Sequence, residues 1–563
     1  MIGIDAKERD MSRLKLPLLL LVPLAAALIV AGCARQEPTA ATLNMASGEP
    51  YTLDPSLAVD LASQLFADAL FYRLTDVDEQ TNEVIPALAK EWQVSDDGLV
   101  WTFRLRDDVY WVHYDPESKE AEKKRKVTAH DVEYGVKRTL DPATASETAF
   151  VDYVILNAFE VNTGEIEDID AIGVQALDDH TVQFTLKEPA PYFLHVSGLH
   201  ANYPLPREAI EQDGDEWTEA GNIWTCGPYM LDTWEHNSRV VLVKNPHWVD
   251  AKNVSIETVN LLAVADNATA LAMYEAGELD TVAVGPADKD RIQADPELSQ
   301  QLHVGPKRSC FFVGFNVSKP PLDNRLLRKA LSAAIDRQKL IQNVLRGANE
   351  PARSFACQGQ VGSPAGDASF EGITFDPEQA RQWLAEAGYP NGEGFPEVTF
   401  MSSSSSYGEN DYPRIAEFVQ KQWADHLGIN VKLTSQEWKV YVQTLTTDTP
   451  PIWEVGWFAT YPDENSWVTE AFHPTKGVNF GDWDPEDSAA KRFMELTEAA
   501  AREMDPERRK ALYFEAEKIL CQDEAIIAPL FHGTWNWLSK PYLQRTYTLI
   551  SGLNLDEWKI LPH

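Results

Sequence analysis

Segments with strand periodicity and segments with capped-helix patterns alternate from about residue 50 to the C-terminus. This alternation constrains the fold most strongly, because strands interleaved with helices pack as α/β layers. Trp101-Thr102-Phe103-Arg104-Leu105-Arg106 puts apolar and polar side chains on opposite faces, as a half-buried strand does. The turn residues Ser95-Asp96-Asp97-Gly98 precede it. Thr128 and Asp131 stand three residues apart ahead of a helix predicted through Leu140, the spacing of a reciprocal N-terminal cap. Residues 179–186 and 239–243 read as further strands, and 326–344 as one helix. Asp376-Pro377-Glu378 opens a helix ending at Gly388, with Asp as cap and Pro at the first helical position. Residues 411–427 form the next helix, stopped by Gly428, followed by a strand at 429–433 and a late helix at 507–520. The serine run 402–406 reads as a loop.

The 563 residues are 44% hydrophobic, enough for sizeable cores in two or more lobes. A net charge of −38 argues against nucleic acid, because phosphates would repel the chain. Arg13 and Lys15 precede an apolar run at 16–31, which is shorter than the roughly 20 residues of a spanning helix. The run ends in Val30-Ala31-Gly32-Cys33, which resembles a bacterial lipobox. Residues 1–32 are therefore expected to be a signal peptide, Cys33 a lipidated N-terminus, and 33–45 a polar tether. An ordinary signal peptide or an N-terminal anchor is the alternative. The protein is expected outside the cytoplasm, held to the membrane by its lipid. Cys226, Cys310, Cys357 and Cys521 are compatible with two disulfides or with free buried thiols. Without a Cys-x-x-Cys pair, no zinc cluster is expected.

An enzyme would need parts that the chain lacks. There is no Gly-x-Ser-x-Gly elbow, no His-Glu-x-x-His and no phosphate-binding glycine loop. No catalytic residue, cofactor or metal is therefore expected. His236, His473 and His532 could form a metal or haem site, but scattered histidines are more often surface or core.

Thr52-Leu53-Asp54-Pro55 comes first in an ordered series of short motifs. Pro86-Ala87-Leu88-Ala89-Lys90-Glu91-Trp92, the Asp97-Gly98 turn with its strand, and Val127-Thr128-Ala129-His130-Asp131-Val132 follow. Cys226-Gly227-Pro228-Tyr229, Lys244-Asn245-Pro246, Asp336-Arg337 and Ala385-Glu386-Ala387-Gly388-Tyr389 complete it. In this order they resemble the ABC-transporter substrate-binding proteins for peptides and nickel, solute-binding family 5. Asp141-Pro142-Ala143-Thr144-Ala145-Ser146, the segment 217–223 and Gln436-Glu437-Trp438-Lys439 are similar to its oligopeptide-binding subgroup.

The resemblance implies a two-lobed, periplasmic-binding-protein-like clamp (type II, cluster C) that closes on ligand through paired crossovers. Lobe I would comprise 46–310 plus 530–563, with an extra subdomain inserted at about 67–170, and lobe II 311–529. It implies an extracytoplasmic monomer that captures an oligopeptide or similar oligomeric solute and delivers it to an ABC permease and its ATPase. An oligosaccharide-binding member, or a ligand-sensing receptor without a transport role, is the alternative.

In peptide-binding relatives a Trp-x-Ala-Asp-Tyr segment lies in the cleft, and its Asp pairs with the peptide's α-ammonium. Here the segment is Trp457-Phe458-Ala459-Thr460-Tyr461, with Thr460 in place of the Asp. Asp463 and Glu464 follow closely enough to be substitutes. Upstream positions that are basic in relatives read Leu445 and Glu454, and Glu454 in a closed cleft would repel a carboxylate. Phe458 stands where the subgroup has one of two paired cysteines, so that disulfide is expected to be absent. The residues expected at the ligand are Trp438, Glu454, Gly456, Trp457, Phe458, Ala459, Thr460, Tyr461 and Asp463. A peptide held by backbone bonds, a cationic or amidated peptide, or a neutral oligomer such as an oligosaccharide fits this set.

Overall fold

A computed structural model describes residues 41–563 except 79–80, 265, 348, 405–410 and 548–553. The leader, Cys33 and most of the tether lie outside the described residues.

Two long strands, Leu302–Phe315 and Ile527–Ser539, organise the body. They pair antiparallel from Leu302↔Leu538 at one end to Gly314↔Ile527 at the other. Beside the second of them lie Thr281–Ala283, Thr42–Ser47, Thr258–Ala263, Arg239–Lys244 and Tyr229–Glu235, in that order. Beside the first lie Ile452–Phe458, Thr399–Ser403 and Lys432–Gln436. One sheet thus continues across the molecule, and the two long strands are shared by both halves.

The side chains segregate into two large cores. Phe103, Val136, Phe193, Tyr229 and Leu261 belong to one, joined by Leu555 and Trp558 from the returning C-terminus. Phe311, Leu331, Trp423, Trp453, Phe493 and Phe531 belong to the other. A four-stranded antiparallel sheet of Ala89–Val94, Val100–Leu105, Thr181–Thr185 and Val174–Asp178 adds to the first half. Trp101, Phe103 and Leu105 are buried there, alternating with more exposed Thr102 and Arg104, as their period of two predicts.

Several local expectations hold. The Asp131 carboxylate accepts the Thr128 N–H at 2.8 Å at the start of Ala129–Leu140. Asp376 caps Pro377–Glu386, and Gly428 ends Tyr412–Leu427 with positive φ, where glycine has no Cβ penalty.

Others are corrected. Residues 326–344 form two helices, Arg325–Ala333 and Arg337–Asn343, not one. Asp336 breaks the run by capping the second helix, accepting the Lys339 N–H at 3.0 Å. Buried Arg337 donates to the carbonyls of Ser332, Ile335 and Pro529, which holds the break in place. Ser402 and Ser403 belong to a strand, paired with Ser435 and Gln436, and not to a loop. The strand expected at 429–433 begins at Lys432, where pairing with Thr399 starts, and Ile429 and Val431 are buried just ahead of it. The late helix runs Pro506–Lys518 and then widens into one looser turn, Ile519–Asp523. Cys226, Cys310, Cys357 and Cys521 are free and buried.

Candidate ligand-binding cleft

The crossover strands open where their pairing fails. Pro306 has no N–H to give to the ladder. The register with the partner strand shifts between Pro306 and Cys310, leaving Lys307, Arg308 and Ser309 in a bulge. Gly533 faces it, and a Cβ there would lie 2.2 Å from Ser309 Oγ, so a larger residue would force the Ser309 hydroxyl to move. A cavity of about 770 Å³ lies at this break. Its walls come from both halves: Met45, Leu61 and Leu65 on one side, the segment 458–462 on the other, and Arg308, Trp535 and Trp537 from the crossovers.

Of the expected ligand residues, Phe458, Ala459, Thr460 and Tyr461 line this cavity, and the others stand elsewhere. Trp438 packs edge-on against Tyr412, with ring centroids 5.4 Å apart. Gly456 gives its N–H to Tyr412 Oη at 3.2 Å. Trp457 donates its indole N–H to the Ser466 carbonyl at 2.9 Å and packs against Phe480. Leu445 is buried in the second core.

Glu454 is not in the cleft, contrary to expectation. It is fully buried, and its Oε1 accepts the Ser402 hydroxyl at 2.6 Å on the neighbouring strand. Burial pushes its carboxyl well above the usual range, against a smaller opposing effect of the Ser402 hydrogen bond. It does not line the cavity, so it is not placed to repel a ligand's carboxylate there.

Asp463 and Glu464 do not replace the missing Asp either. Asp463 forms a buried two-pronged ion pair with Arg509, one arm at 2.7 Å, and also accepts the Asn465 N–H at 2.9 Å. Glu464 is buried in the second half, with a carboxyl raised by burial and by neighbouring Glu517. The nearest acid behind Thr460 is Glu470, whose Oε2 accepts the hydroxyls of Ser466 at 2.9 Å and Thr460 at 3.4 Å. Burial pushes Glu470 up to about 7.

Contacts between the halves close the rim. Tyr461 stacks on Tyr192, with centroids 5.6 Å apart and planes 7° from parallel. Glu188 pairs with Arg502 at 2.8 Å and Lys476 at 3.6 Å. His236, His473 and His532 have separate partners: Glu219 for His236, Glu498 for His473 and the Ser354 carbonyl for His532.

Arg308, Trp535 and Trp537 were missed from sequence. Trp535 and Trp537 stand two apart on one strand and therefore share a face. Arg308 sits beside an apolar run, a placement that marks an unusual cation.

Comparison with known proteins gives the cleft its context. The family described as bacterial extracellular solute-binding proteins, family 5, matches residues 83–479. The oligopeptide-binding protein OppA of Bacillus subtilis is 30% identical over 505 residues, 88% of each chain. The probable deoxycholate-binding periplasmic protein YgiS of Escherichia coli is 30% identical over 509 residues, again 88% of each. The unliganded open form of the periplasmic murein tripeptide-binding protein MppA superposes with a TM-score of 0.75 at 28% identity, covering 93% of this chain and 98% of that one. The likeness shows the two-lobed α/β clamp that the two cores and shared strands describe. This chain is a member of the bacterial extracellular solute-binding proteins of family 5, a binding protein and not an enzyme.

Proposed function

We propose that the protein captures an oligopeptide or similar oligomeric solute between its lobes and delivers it to an ABC permease and its ATPase. One observation carries this reading: the cavity at the crossover break is walled by both halves, including the segment 458–461 that the family resemblance assigns to ligand. A site built from two lobes changes when they part, so ligand and closure are coupled. Lobe I is assigned to 46–310 plus 530–563, with the inserted subdomain at about 67–170, and lobe II to 311–529. The return of Leu555 and Trp558 to the first core supports a discontinuous lobe I, while Leu530 and Phe531 still pack in the second core at the crossing. The protein acts as a monomer tethered through lipidated Cys33, which the leader and its Gly-Cys end support.

The removal of Glu454 from the cleft withdraws the reason for disfavouring a ligand with a free carboxylate. Trp535 and Trp537 in the wall keep an oligosaccharide as the second reading, since aromatic faces stack on sugars. Mass spectrometry of protein purified from its own cells under native conditions tests the class. A bound peptide mixture supports the proposal, and a bound sugar favours the alternative. An acylated Cys33 in the membrane fraction is expected, and any other mature N-terminus would refute the anchor.

A further inference from the structure

The cavity wall holds one cation that the fold leaves unsatisfied. Arg308 is 7% exposed and lines the cavity. Its Nη2 donates to the Thr460 carbonyl at a long 3.4 Å, and its Nε–H meets no acceptor among the described residues. No carboxylate forms an ion pair with it there. A guanidinium carries five donors, and burying it unpaired is costly, so such a group marks a binding site more often than a packing choice.

The charges around it leave this vacancy open. Glu470, behind Thr460, is half-buried, does not line the cavity, and accepts from the hydroxyls of Ser466 and Thr460. Asp68 pairs with Arg73 at 3.1 Å, and Asp60 caps Ser63 at 2.9 Å, so the opposite wall's acids are occupied. Glu49 accepts the Trp234 indole N–H at 3.1 Å. The Cys357 thiol is pushed by burial up to about 12 and stays neutral. Burial lowers Arg308 itself only to about 10, so it remains a cation at neutral pH.

We propose that Arg308 receives a carboxylate of the ligand, so that the solute enters with an anionic end, not an ammonium, against Thr460. This rests on the reading of the cavity as the solute site. The end of the cleft where an acid would hold an amine has instead a neutral hydroxyl and a guanidinium. Apolar walls around it, including Leu61, Leu65, Trp535 and Phe458, suit an apolar body behind the carboxylate. A peptide's C-terminus and an amphipathic acid such as deoxycholate share this chemistry.

The test uses the full mature chain and its Arg308→Leu variant in three titrations. The probes are acetylated tetrapeptides with a free C-terminal carboxylate, the same peptides as C-terminal amides, and deoxycholate. The free acids are expected to bind at least about tenfold tighter than the amides, and Arg308→Leu to erase the difference. Deoxycholate binding that depends on Arg308, with no peptide binding, would uphold the inference and remove the peptide reading. Peptide binding indifferent to Arg308 would do the reverse. A second readout needs no ligand: removing an uncompensated buried charge should raise the melting temperature of the ligand-free chain by at least about 1 °C. A fall in that temperature would show Arg308 to be structural and overturn the proposal, and this arm alone decides should no probe bind.

Discussion

Replacing Asp463 by Asn should strongly destabilise the half of the molecule that carries the 458–462 side of the cavity. The pair with Arg509 is almost dry, with side-chain exposures of 1% and 5%. Arg509 also donates to the Ala500 carbonyl at 3.0 Å and to Tyr513 Oη at 3.2 Å, so it cannot swing to solvent when its partner is lost. Asn preserves the shape but leaves a buried guanidinium without a counter-charge, a loss of about 3–5 kcal/mol. The pair ties the helix Pro506–Lys518 to the turn after Pro462, so the segment 458–462 should loosen as well. Urea unfolding followed by tryptophan fluorescence measures the loss. The double variant Asp463→Leu with Arg509→Met separates charge from packing, since an apolar pair of similar volume should recover most of the stability. A loss below about 1 kcal/mol for Asp463→Asn, or a double variant as weak as the single one, would refute the reasoning.

Other outcomes follow from the same structure. Glu454 has a folded pKa raised above its unfolded value, so the unfolded state ionises first and the native state loses stability as pH climbs from about 4.5 towards the folded value. Glu454→Gln should therefore gain on the parent by up to about 1.4 kcal/mol per pH unit in that window, and a difference independent of pH in denaturation curves would contradict this. Tyr192→Ala removes a stack across the lobes worth about 1 kcal/mol, so the ligand-free protein should be more open by small-angle scattering, and an unchanged radius of gyration would count against the latch. In a chain carrying Cys33→Ala, the four buried thiols should resist a thiol reagent until urea is added, and prompt native labelling would contradict their burial.

Patterns that depend on neighbours in sequence were legible, and those that depend on partners across the fold were not. The strand Val100–Leu105 and the caps Thr128, Asp376 and Gly428 need only period and local hydrogen bonds. The break at Asp336 hid in a helical pattern because buried Arg337 bonds to Pro529, far along the chain. Glu454 was misplaced because both faces of a central strand are covered, and period alone does not say which face meets the cleft. Arg308 stayed unseen for a related reason: the bulge that presents it follows Pro306 and lies against Gly533 in a partner strand.

The central claim, capture of a solute between the lobes at 458–462 and the crossover tryptophans, is tested most directly by calorimetric titration of a peptide mixture. The protein and a Thr460→Trp variant, which puts a bulky ring into the cavity wall, are compared. The account predicts one-to-one binding by the protein and none by the variant. Equal binding by both would place the ligand elsewhere and contradict the account.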